Sequence, residues 1–435
     1  MGELDVIQQG NDASAGLSER VHALQRLGVL CGVAAGAWLG AAEVPAKLVS
    51  AGLSPFLISL LMVVGVFLGR WCLPAALRGT SDIRADIGKA PHLVIWAIVA
   101  GCLWSVANTL TIFAIRDLGL SIAFPLWNTN ALIGILWGFF FFGELKSAGR
   151  IEWIAVLGGA TLIFAGGVIL ARVSASQMSS QVATKGMIAA LGAGVMWGTM
   201  YIPYRKAYLS GMNPLSFVTF FTVGELGMMT VLASRYLGGL ASLWHQVSAV
   251  QSVQFWLLAA GFVWVIGDIF QQYAVKYIGV SRGIPLSNSN QLWGLLWGAV
   301  AFGEFRNWQH AAITSAVAGS ILMAIGMAAI SFSVAGKAEY EQWRDAANRE
   351  QNKYGLDPRF IASAMDGTAF HTSPRKRWLD GVLLSVATAL FIWTATSAHW
   401  LAMNLEWPVV YALLAAGLIL LVTAVVSLWR LTRFN

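Results

Sequence analysis

The chain has 435 residues, of which 57% are hydrophobic and only 11% are charged, and its mean hydropathy is +0.66. A soluble domain of this size needs a charged surface that this composition cannot supply. The composition therefore predicts an all-α integral membrane protein whose spans each use about 20 apolar residues. A net charge of +7 fits basic cytoplasmic loops, so we expect the lipid bilayer and no nucleic acid as partner.

The first half begins with a polar tail, residues 1–26, predicted to be cytoplasmic. A first repeat at 27–172 then contains five predicted spans: 27–47, 53–74, 91–114, 119–142 and 152–171. In the first span, glycines recur at every fourth position: Gly28, Gly32, Gly36 and Gly40. This spacing allows close helix packing. We expect packing within the chain, and a homodimer interface is the alternative.

The pattern restarts after a Ser-rich linker at 173–185. The second repeat, 186–333, has predicted spans at 186–204, 214–234, 254–276, 281–303 and 309–333. Pro203 matches Pro45 and Arg205 matches Lys47 at an offset of 158, which becomes 160 from the third span onward. A unit of five spans reverses its direction when it is repeated, so the sequence predicts an inverted repeat, as in secondary transporters.

Residues 334–378 form a polar linker, which we predict to be a solvated cytoplasmic connector. One amphipathic helix on the membrane surface near Tyr340 and Trp343 is the alternative. Two more spans at 379–398 and 407–429, within 379–435, have no counterpart in the repeat. With both termini in the cytoplasm, the cytoplasmic segments hold most of the 28 Lys and Arg residues. We expect a multi-pass protein of a bacterial inner membrane.

One motif occurs twice, at 125–144 and 285–304, with 12 of 20 positions identical. It places two asparagines, two residues apart, near the membrane midplane in each repeat: Asn128, Asn130, Asn288 and Asn290. Residues two apart point to different helix faces. Either one amide of each pair bonds a neighbouring helix, or the backbone is distorted, as the nearby prolines favour. We predict substrate-binding amides, with helix-to-helix hydrogen bonding as the alternative.

Other polar and aromatic side chains inside the spans are further substrate-binding candidates: Trp104, Trp264, Asn108, Gln271 and Gln291. A polar group within a span is unfavourable unless it faces a cavity or a partner. Aromatic faces beside amides suit a neutral polyol, and plain packing of the tryptophans is the alternative. We expect few buried cations, which also suits a neutral substrate.

Three acids in or near spans are candidates for proton coupling: Asp268, Glu225 and Glu43. A buried carboxylate can take up a proton near neutral pH. Asp268 aligns with the neutral Asn108, whereas Glu43 has Lys47 four residues on as an alternative partner. Glu144 and Glu304 end the two motif copies, where we expect capping or ion pairing.

Residues 27–333 resemble the drug/metabolite transporter superfamily through the PAK and PYRK ends of spans 1 and 6 and the paired Gly-x-x-Trp-Gly … Gly-Glu motifs. The chain is most similar to the branch of glucose/ribose porters and rhamnose–proton symporters. The resemblance implies proton-coupled monosaccharide import by alternating access, with the substrate between spans 1, 3, 4, 6, 8 and 9. The linker and the last two spans depart from the family pattern.

Two other functions remain open at this point. The same scaffold serves transporters of other small polar metabolites and drug exporters. A membrane enzyme would need a catalytic cluster at one membrane face, and the linker has no recognisable motif. We therefore predict a transporter without enzyme activity, cofactor or metal.

Overall fold

The computed structural model describes residues 2–49, 52–177, 179–331, 337–359, 361, 376–399 and 405–434. Within these residues the chain is helical and has no strand. The first half contains α1 (Gly2–Ala42), α2 (Val44–Lys47), α3 (Pro55–Leu77), α4 (Ser81–Lys89), α5 (Leu93–Leu118), α6 (Leu120–Trp127), α7 (Asn130–Trp137) and α8 (Arg150–Gln177), with a π-helical turn at Gly138–Phe142. The predicted tail is therefore helical from Gly2 onward.

The second half repeats this order. It contains α9 (Ser180–Leu209), α10 (Pro214–Tyr236), α11 (Leu240–Ala249), α12 (Gln251–Ile278), α13 (Val280–Ser287), α14 (Asn290–Leu295) and α15 (His310–Ser331), with a π-helical turn at Leu296–Ala301. Beyond it lie α16 (Lys337–Tyr354), α17 (Trp378–Thr396) and α18 (Trp407–Thr432). The short α4 and α11 fall in stretches that the sequence predicts as loops.

Eleven helical segments of the described chain are long and apolar enough to cross a membrane, which confirms an all-α integral membrane protein. Leu120–Phe142 is one of them, and its counterpart Val280–Ala301 is not. The counterpart has Arg282 near its start and the run SNSNQ at 287–291 in its centre. These polar residues lower its hydropathy although its helices follow the same pattern.

Equivalent helices of the two halves pack reciprocally. α1 lies on α12 as α9 lies on α5, and α3 lies on α12 as α10 lies on α5. Glycines permit the closest approaches: a Cβ at Gly101 would meet the backbone of α10 near Phe221, and one at Gly261 would meet α3 near Met62. The two halves therefore form one helical body around a shared centre.

Both motif copies form broken helices. The helix is interrupted at 128–129 between α6 and α7, and at 288–289 between α13 and α14. Pro125 and Pro285 lie within the turn before each break. Proline withholds the donor that would bond the carbonyl four residues earlier, so each proline disturbs the helix on the N-terminal side of its break. A backbone distortion at the asparagines, one of the two alternatives from the sequence, is present in both halves.

The glycine stripe of α1 packs inside the molecule. Gly28 faces Ile278, Gly32 faces Leu286, and Gly36 approaches the backbone at Asn290, too close for any larger side chain. The stripe therefore serves helix packing within the chain, and it is not available as a homodimer surface.

The segments after the repeat pack on its outside. α17 lies against α3 and α12, α18 lies against α1, and α16 lies against α9. The stretch around Trp343 is the helix α16, as in the alternative from the sequence. Trp343 is 5% exposed, and the guanidinium of Arg205 lies 4.4 Å from the centre of the Trp343 ring. The Trp343 side chain therefore contacts protein and not the membrane surface. The side chain of Tyr340 lies outside the described residues.

Candidate functional site

The two broken helices meet at their asparagines. The amide of Asn128 donates to the backbone carbonyl of Asn288 (3.1 Å) and to Oδ1 of Asn290 (2.5 Å). In the same way, the amide of Asn288 donates to the carbonyl of Asn128 (3.0 Å) and to Oδ1 of Asn130 (2.5 Å). The first asparagine of each pair therefore holds the two halves together at the breaks, where backbone groups need partners.

A central cavity of about 400 Å³, counted with the solvent space at its mouth, lies beside this junction. Aromatic, amide and apolar side chains and one carboxylate line it: Leu39, Glu43, Thr111, Phe124, Trp127, Asn130, Trp197, Tyr201, Trp264, Gln271 and Asn290. Both halves contribute to the wall. A lining that combines aromatic and apolar side chains with convergent polar groups is typical of small-ligand sites.

Two stacked tryptophans, with a third behind them, form one side of this cavity. Trp197 and Trp264 are stacked, with ring centres 5.6 Å apart and planes inclined by 22°. Trp104 meets both rings edge-on, at 5.7 and 4.9 Å, and is fully buried behind them. Trp104 therefore supports the two rings that line the cavity.

Gln271 joins the polar side of the cavity to both flanking helices. Its Oε1 accepts from the hydroxyl of Tyr201 at 3.1 Å, and its amide donates to Oγ of Ser287 at 2.6 Å. Because both ends of the side chain are engaged, the Gln271 amide has a fixed orientation. Tyr201 also lines the cavity and was not among the residues singled out from the sequence.

A charged cluster lies buried beside the cavity, between α3, α10 and α12. Arg70 donates from Nη1 to Oε1 of Glu225 (3.0 Å) and from Nη2 to Oδ2 of Asp268 (2.7 Å), and all three side chains are at most 1% exposed. The Arg70 guanidinium also lies 4.0 Å from the ring centre of Phe221 and 5.2 Å from that of Trp264. Trp264 thus separates the cluster from the cavity.

Arg70 corrects the expectation that cations are scarce inside the spans. Its sequence signal was a lone arginine in the apolar run GVFLGRWCL, and charged groups inside a span point to a partner or a function. The interaction with two acids removes its positive charge from the cavity wall. A neutral ligand therefore remains compatible with the site.

The first half has a neutral counterpart of the charged cluster. Asn108, which aligns with Asp268, donates to Oγ of Ser59 at 2.6 Å. Met229, which aligns with Arg70 at the offset of 159 seen between α3 and α10, accepts from the hydroxyl of Thr109 at 3.4 Å. The charges are thus confined to one of the two pseudo-equivalent positions.

Glu43 lies between two cavities. It lines the central cavity and a second one of about 370 Å³ that also includes Lys47, Pro55, Ile112 and Arg116. Glu43 is 5% exposed, and its Oε2 has no hydrogen-bond partner among the described residues. This carboxylate therefore lies between the central cavity and the end of the molecule at which α1 and α5 end.

The carboxylates at the ends of the two motif copies cap each other's helices. Glu304 accepts from the backbone amides of Leu120 (2.9 Å) and Ser121 (3.0 Å) at the start of α6, and it also forms an ion pair with Lys47. The prediction of capping and ion pairing for this residue is confirmed.

Glu144 makes the same contacts at the other end of the molecule. It accepts from the amides of Val280 (3.1 Å) and Ser281 (2.8 Å) at the start of α13, and it lies 3.2 Å from Arg205. Arg205 is the sequence counterpart of Lys47, so the two ends carry matching ion pairs. Carboxylates are stabilised at helix N-termini by the free amides and the helix dipole.

The structure divides the substrate-binding candidates into two groups. Asn130, Asn290, Trp264 and Gln271 line the cavity, and the acid Glu43 joins them. The others contact neighbouring helices in this conformation: Asn108, Asn128, Asn288, Gln291 and Trp104. For Gln291 the contact is a bond from its amide to the carbonyl of Ser320 on α15, at 3.1 Å.

A family model described as a sugar transport protein matches residues 56–173 and 187–356. The chain belongs to this sugar transport family. The match begins at residue 56, so the first span of the expected resemblance lies outside it. At its other end the match extends past residue 333 and includes α16, so the first part of the polar linker is not a departure from the family. Residues 357–435 lie outside the match.

Individual relatives of this sugar transport family member are distant. A Listeria innocua protein, provisionally named for sugar uptake, is 22% identical over 234 residues, which cover 53% of this chain and 76% of the relative. A similarly named Enterococcus faecalis protein is 29% identical over 27% of this chain and 37% of its own length. A solved structure aligns with 70% of this chain and 97% of its own at 16% identity, with a TM-score of 0.42, which is too low to bear on the fold.

Proposed function

We propose that this sugar transport family member takes up a monosaccharide together with a proton, by alternating access in a bacterial inner membrane with both termini in the cytoplasm. The observation that carries the proposal is the central cavity at the junction of the two broken helices, with stacked tryptophans on one side and amides on the other. Flat rings contact the C–H faces of a sugar, and amides bond its hydroxyls. A glucose, ribose or rhamnose type of substrate fits this chemistry.

The amides have separate tasks in this proposal. Asn128 and Asn288 hold the junction together. The Oδ1 atoms of Asn290 and Asn130 accept from these two amides, and the N–H groups of Asn130 and Asn290 are directed to the sugar. Gln271 and Tyr201 contribute polar atoms from α12 and α9. The ligand is thus held by elements of both halves, which is the arrangement that alternating access requires.

The coupling ion is proposed from the acids. Asp268 and Glu225 lie behind Trp264, and Glu43 lies in the cavity wall with an unpartnered oxygen. Carboxylates that gain or lose a proton as the cavity changes its access would link the proton gradient to sugar movement. The proposal therefore assigns proton coupling to these acids and sugar contact to the amides and rings.

A second candidate substrate is a small metabolite with an amino group. The unpartnered Oε2 of Glu43 in the cavity wall would bind an ammonium group, and the tryptophan faces would add cation–π attraction. This alternative keeps the transporter and changes only the ligand that Glu43 faces.

The test is a ligand screen of the purified protein followed by transport. Monosaccharides and small amines are compared for the rise in thermal unfolding temperature, since a ligand that binds the folded state stabilises it. Hits are then assayed in proteoliposomes with and without an inward proton gradient. Accumulation of a monosaccharide that depends on the gradient supports the proposal; stabilisation by amines alone supports the second candidate and contradicts the first.

A further inference from the structure

The charged cluster beside the cavity contains an odd number of charges. Arg70 contributes one positive charge, and Glu225 and Asp268 contribute two negative charges when both are ionised. Among the residues that the structure describes, the other titratable side chains that bond into it are Tyr204 and Tyr208 on α9, which are neutral at physiological pH. A net negative charge in a fully buried site is strongly unfavourable, and one bound proton removes it.

The hydrogen bonds identify the acid that holds this proton. Asp268 accepts from Arg70 Nη2 (2.7 Å), from the amide of Gln272 (2.8 Å) and from the hydroxyl of Tyr204 (3.4 Å). Within the part of the chain that the structure describes, the carboxylate of Glu225 accepts only from Arg70, on Oε1, while its Oε2 is buried without a partner. Three donors favour an ionised carboxylate, and an oxygen without any donor favours the protonated form.

We propose that Glu225 carries the single exchangeable proton of this cluster and that Arg70 is the positioning residue that keeps Asp268 ionised. The step forms an O–H bond between Oε2 of Glu225 and a proton from one side of the membrane and breaks the same bond on the other side. This inference rests on the proposed proton-coupled transport and moves the coupling role from Asp268, favoured by the sequence, to Glu225.

Two contacts connect the cluster to the cavity. The ring of Trp264 lines the cavity and lies 5.2 Å from the Arg70 guanidinium. Tyr201 also lines the cavity, and its ring lies 5.8 Å from that of Tyr204, which bonds Asp268. A ligand that shifts either ring changes the position of Arg70 between its two acids. The protonation of Glu225 and the occupancy of the cavity are coupled through these rings.

The neutral counterpart in the first half supplies the substitutions for a test. Met229 stands at the position of Arg70, and Asn108 stands at that of Asp268. Arg70→Met and Asp268→Asn therefore introduce side chains that this fold already accepts at pseudo-equivalent positions. Glu225→Gln keeps the shape of Glu225 and removes its charge.

The test is infrared difference spectroscopy of the purified sugar-free protein over a pH series, which detects the C=O stretch of a protonated carboxylic acid. Glu43→Gln is introduced into the wild type and into every variant of this series, because Glu43 is another buried carboxylate with an oxygen that lacks a donor among the described residues. The wild type with this change should show one such band at neutral pH. Glu225→Gln should abolish it while leaving thermal stability near that of the wild type, because the Arg70–Asp268 pair remains balanced. Asp268→Asn should also abolish it, because Arg70 then pairs with an ionised Glu225.

The double variant Arg70→Met/Asp268→Asn should restore a band, because Glu225 is then a buried acid with no cation to balance its charge. This band should lie above the wild-type frequency, because the carboxyl of Glu225 no longer accepts from Arg70. In Arg70→Met/Glu225→Gln, the acid is Asp268, and its remaining donors should place the band below that of the first double variant. A wild-type band that survives Glu225→Gln, or that lies below the frequency of this second double variant, would overturn the assignment, because a protonated Asp268 in the wild type would also accept from Arg70. Absence of any band in the folded wild type would overturn the proton count.

A transport readout separates this inference from the function on which it rests. In proteoliposomes, Glu225→Gln should exchange sugar at equal concentrations but lose accumulation driven by a proton gradient. Accumulation that persists in this variant contradicts the inference and leaves sugar transport intact. A wild type that has the infrared band but neither binds nor moves any monosaccharide contradicts the proposed function and leaves the proton assignment standing.

Discussion

Asn128 and Asn288 each donate a hydrogen bond to the backbone carbonyl of the other, across the junction of the two broken helices. We expect Asn288→Ala to destabilise the fold by about 1–3 kcal/mol, since a buried carbonyl and the Oδ1 of Asn130 lose their donor. Asn290→Ala should instead raise the half-saturation constant for sugar with less loss of protein in the membrane. Thermal unfolding and uptake kinetics of both variants check this, and equal effects on stability would contradict the division of roles.

Gln271 and Gln291 form a matched pair for testing the cavity. Gln271 lines it, whereas the amide of Gln291 bonds Ser320 on α15. Gln271→Leu should raise the half-saturation constant about fivefold, as expected for the loss of one hydrogen bond of about 1 kcal/mol. Gln291→Leu is the control and should affect stability more than affinity. The reverse pattern would place the ligand elsewhere.

The end carboxylates predict effects confined to one face of the membrane. Glu304→Gln should weaken the start of α6, because the amides of Leu120 and Ser121 lose a charged acceptor worth about 0.3–2 kcal/mol at a helix N-terminus. Hydrogen exchange measured by mass spectrometry should then rise there and stay unchanged at α13. Glu144→Gln should produce the opposite pattern. Exchange that rises at both ends in either variant would show that the two caps are not independent.

The docking of α16 should depend on pH through His92. Its ring is stacked on that of Tyr354 with centres 3.6 Å apart, and burial lowers the pKa of His92 below its ordinary value of 6.5, although Glu350 opposes this shift. A lowered pKa means that the docked state favours the neutral ring. Docking is therefore complete above pH 6.5 and weakens as the pH falls below it.

Hydrogen exchange of 337–354 over a pH series measures this docking. His92→Phe keeps the aromatic stacking and removes the titration, so it should make the exchange of α16 independent of pH in this range once intrinsic exchange is corrected. Lys206, which is bonded to Glu350 at 2.7 Å, holds α16 at a second point and should limit the loss in the wild type. An unchanged pH profile in His92→Phe would remove His92 from the mechanism.

Much of the architecture could be predicted because it depends on local pattern. Apolar length gives the spans, and the duplicated motif gives the reciprocal order of helices. A backbone distortion near Pro125 could be expected from the chemistry of proline, although its position at 128–129 could not. The Gly-Glu ends were interpreted correctly as caps, since a carboxylate at a span end needs donors and the partner repeat supplies them.

The site could be predicted only in part, because the sequence around a residue does not determine which residues of other helices it contacts. Asn128 and Asn130 have the same chemistry and nearly the same depth, yet one joins the halves and the other lines the cavity. Arg70 was missed although its charge is conspicuous in an apolar run. The role of Arg70 depends on its ion pairs with Glu225 and Asp268, which are more than 150 residues away in the sequence.

The exchange of caps between the two halves also affects the biogenesis of the protein. The start of α6 is synthesised 184 residues before Glu304, whose carboxylate accepts hydrogen bonds from the free amides at that helix start. At about 5–20 residues per second, ribosomes need roughly 10–40 s to make that distance. The first half therefore enters the bilayer with this helix end incomplete, and a truncated nascent chain that stops before residue 304 should expose it to quality-control proteases.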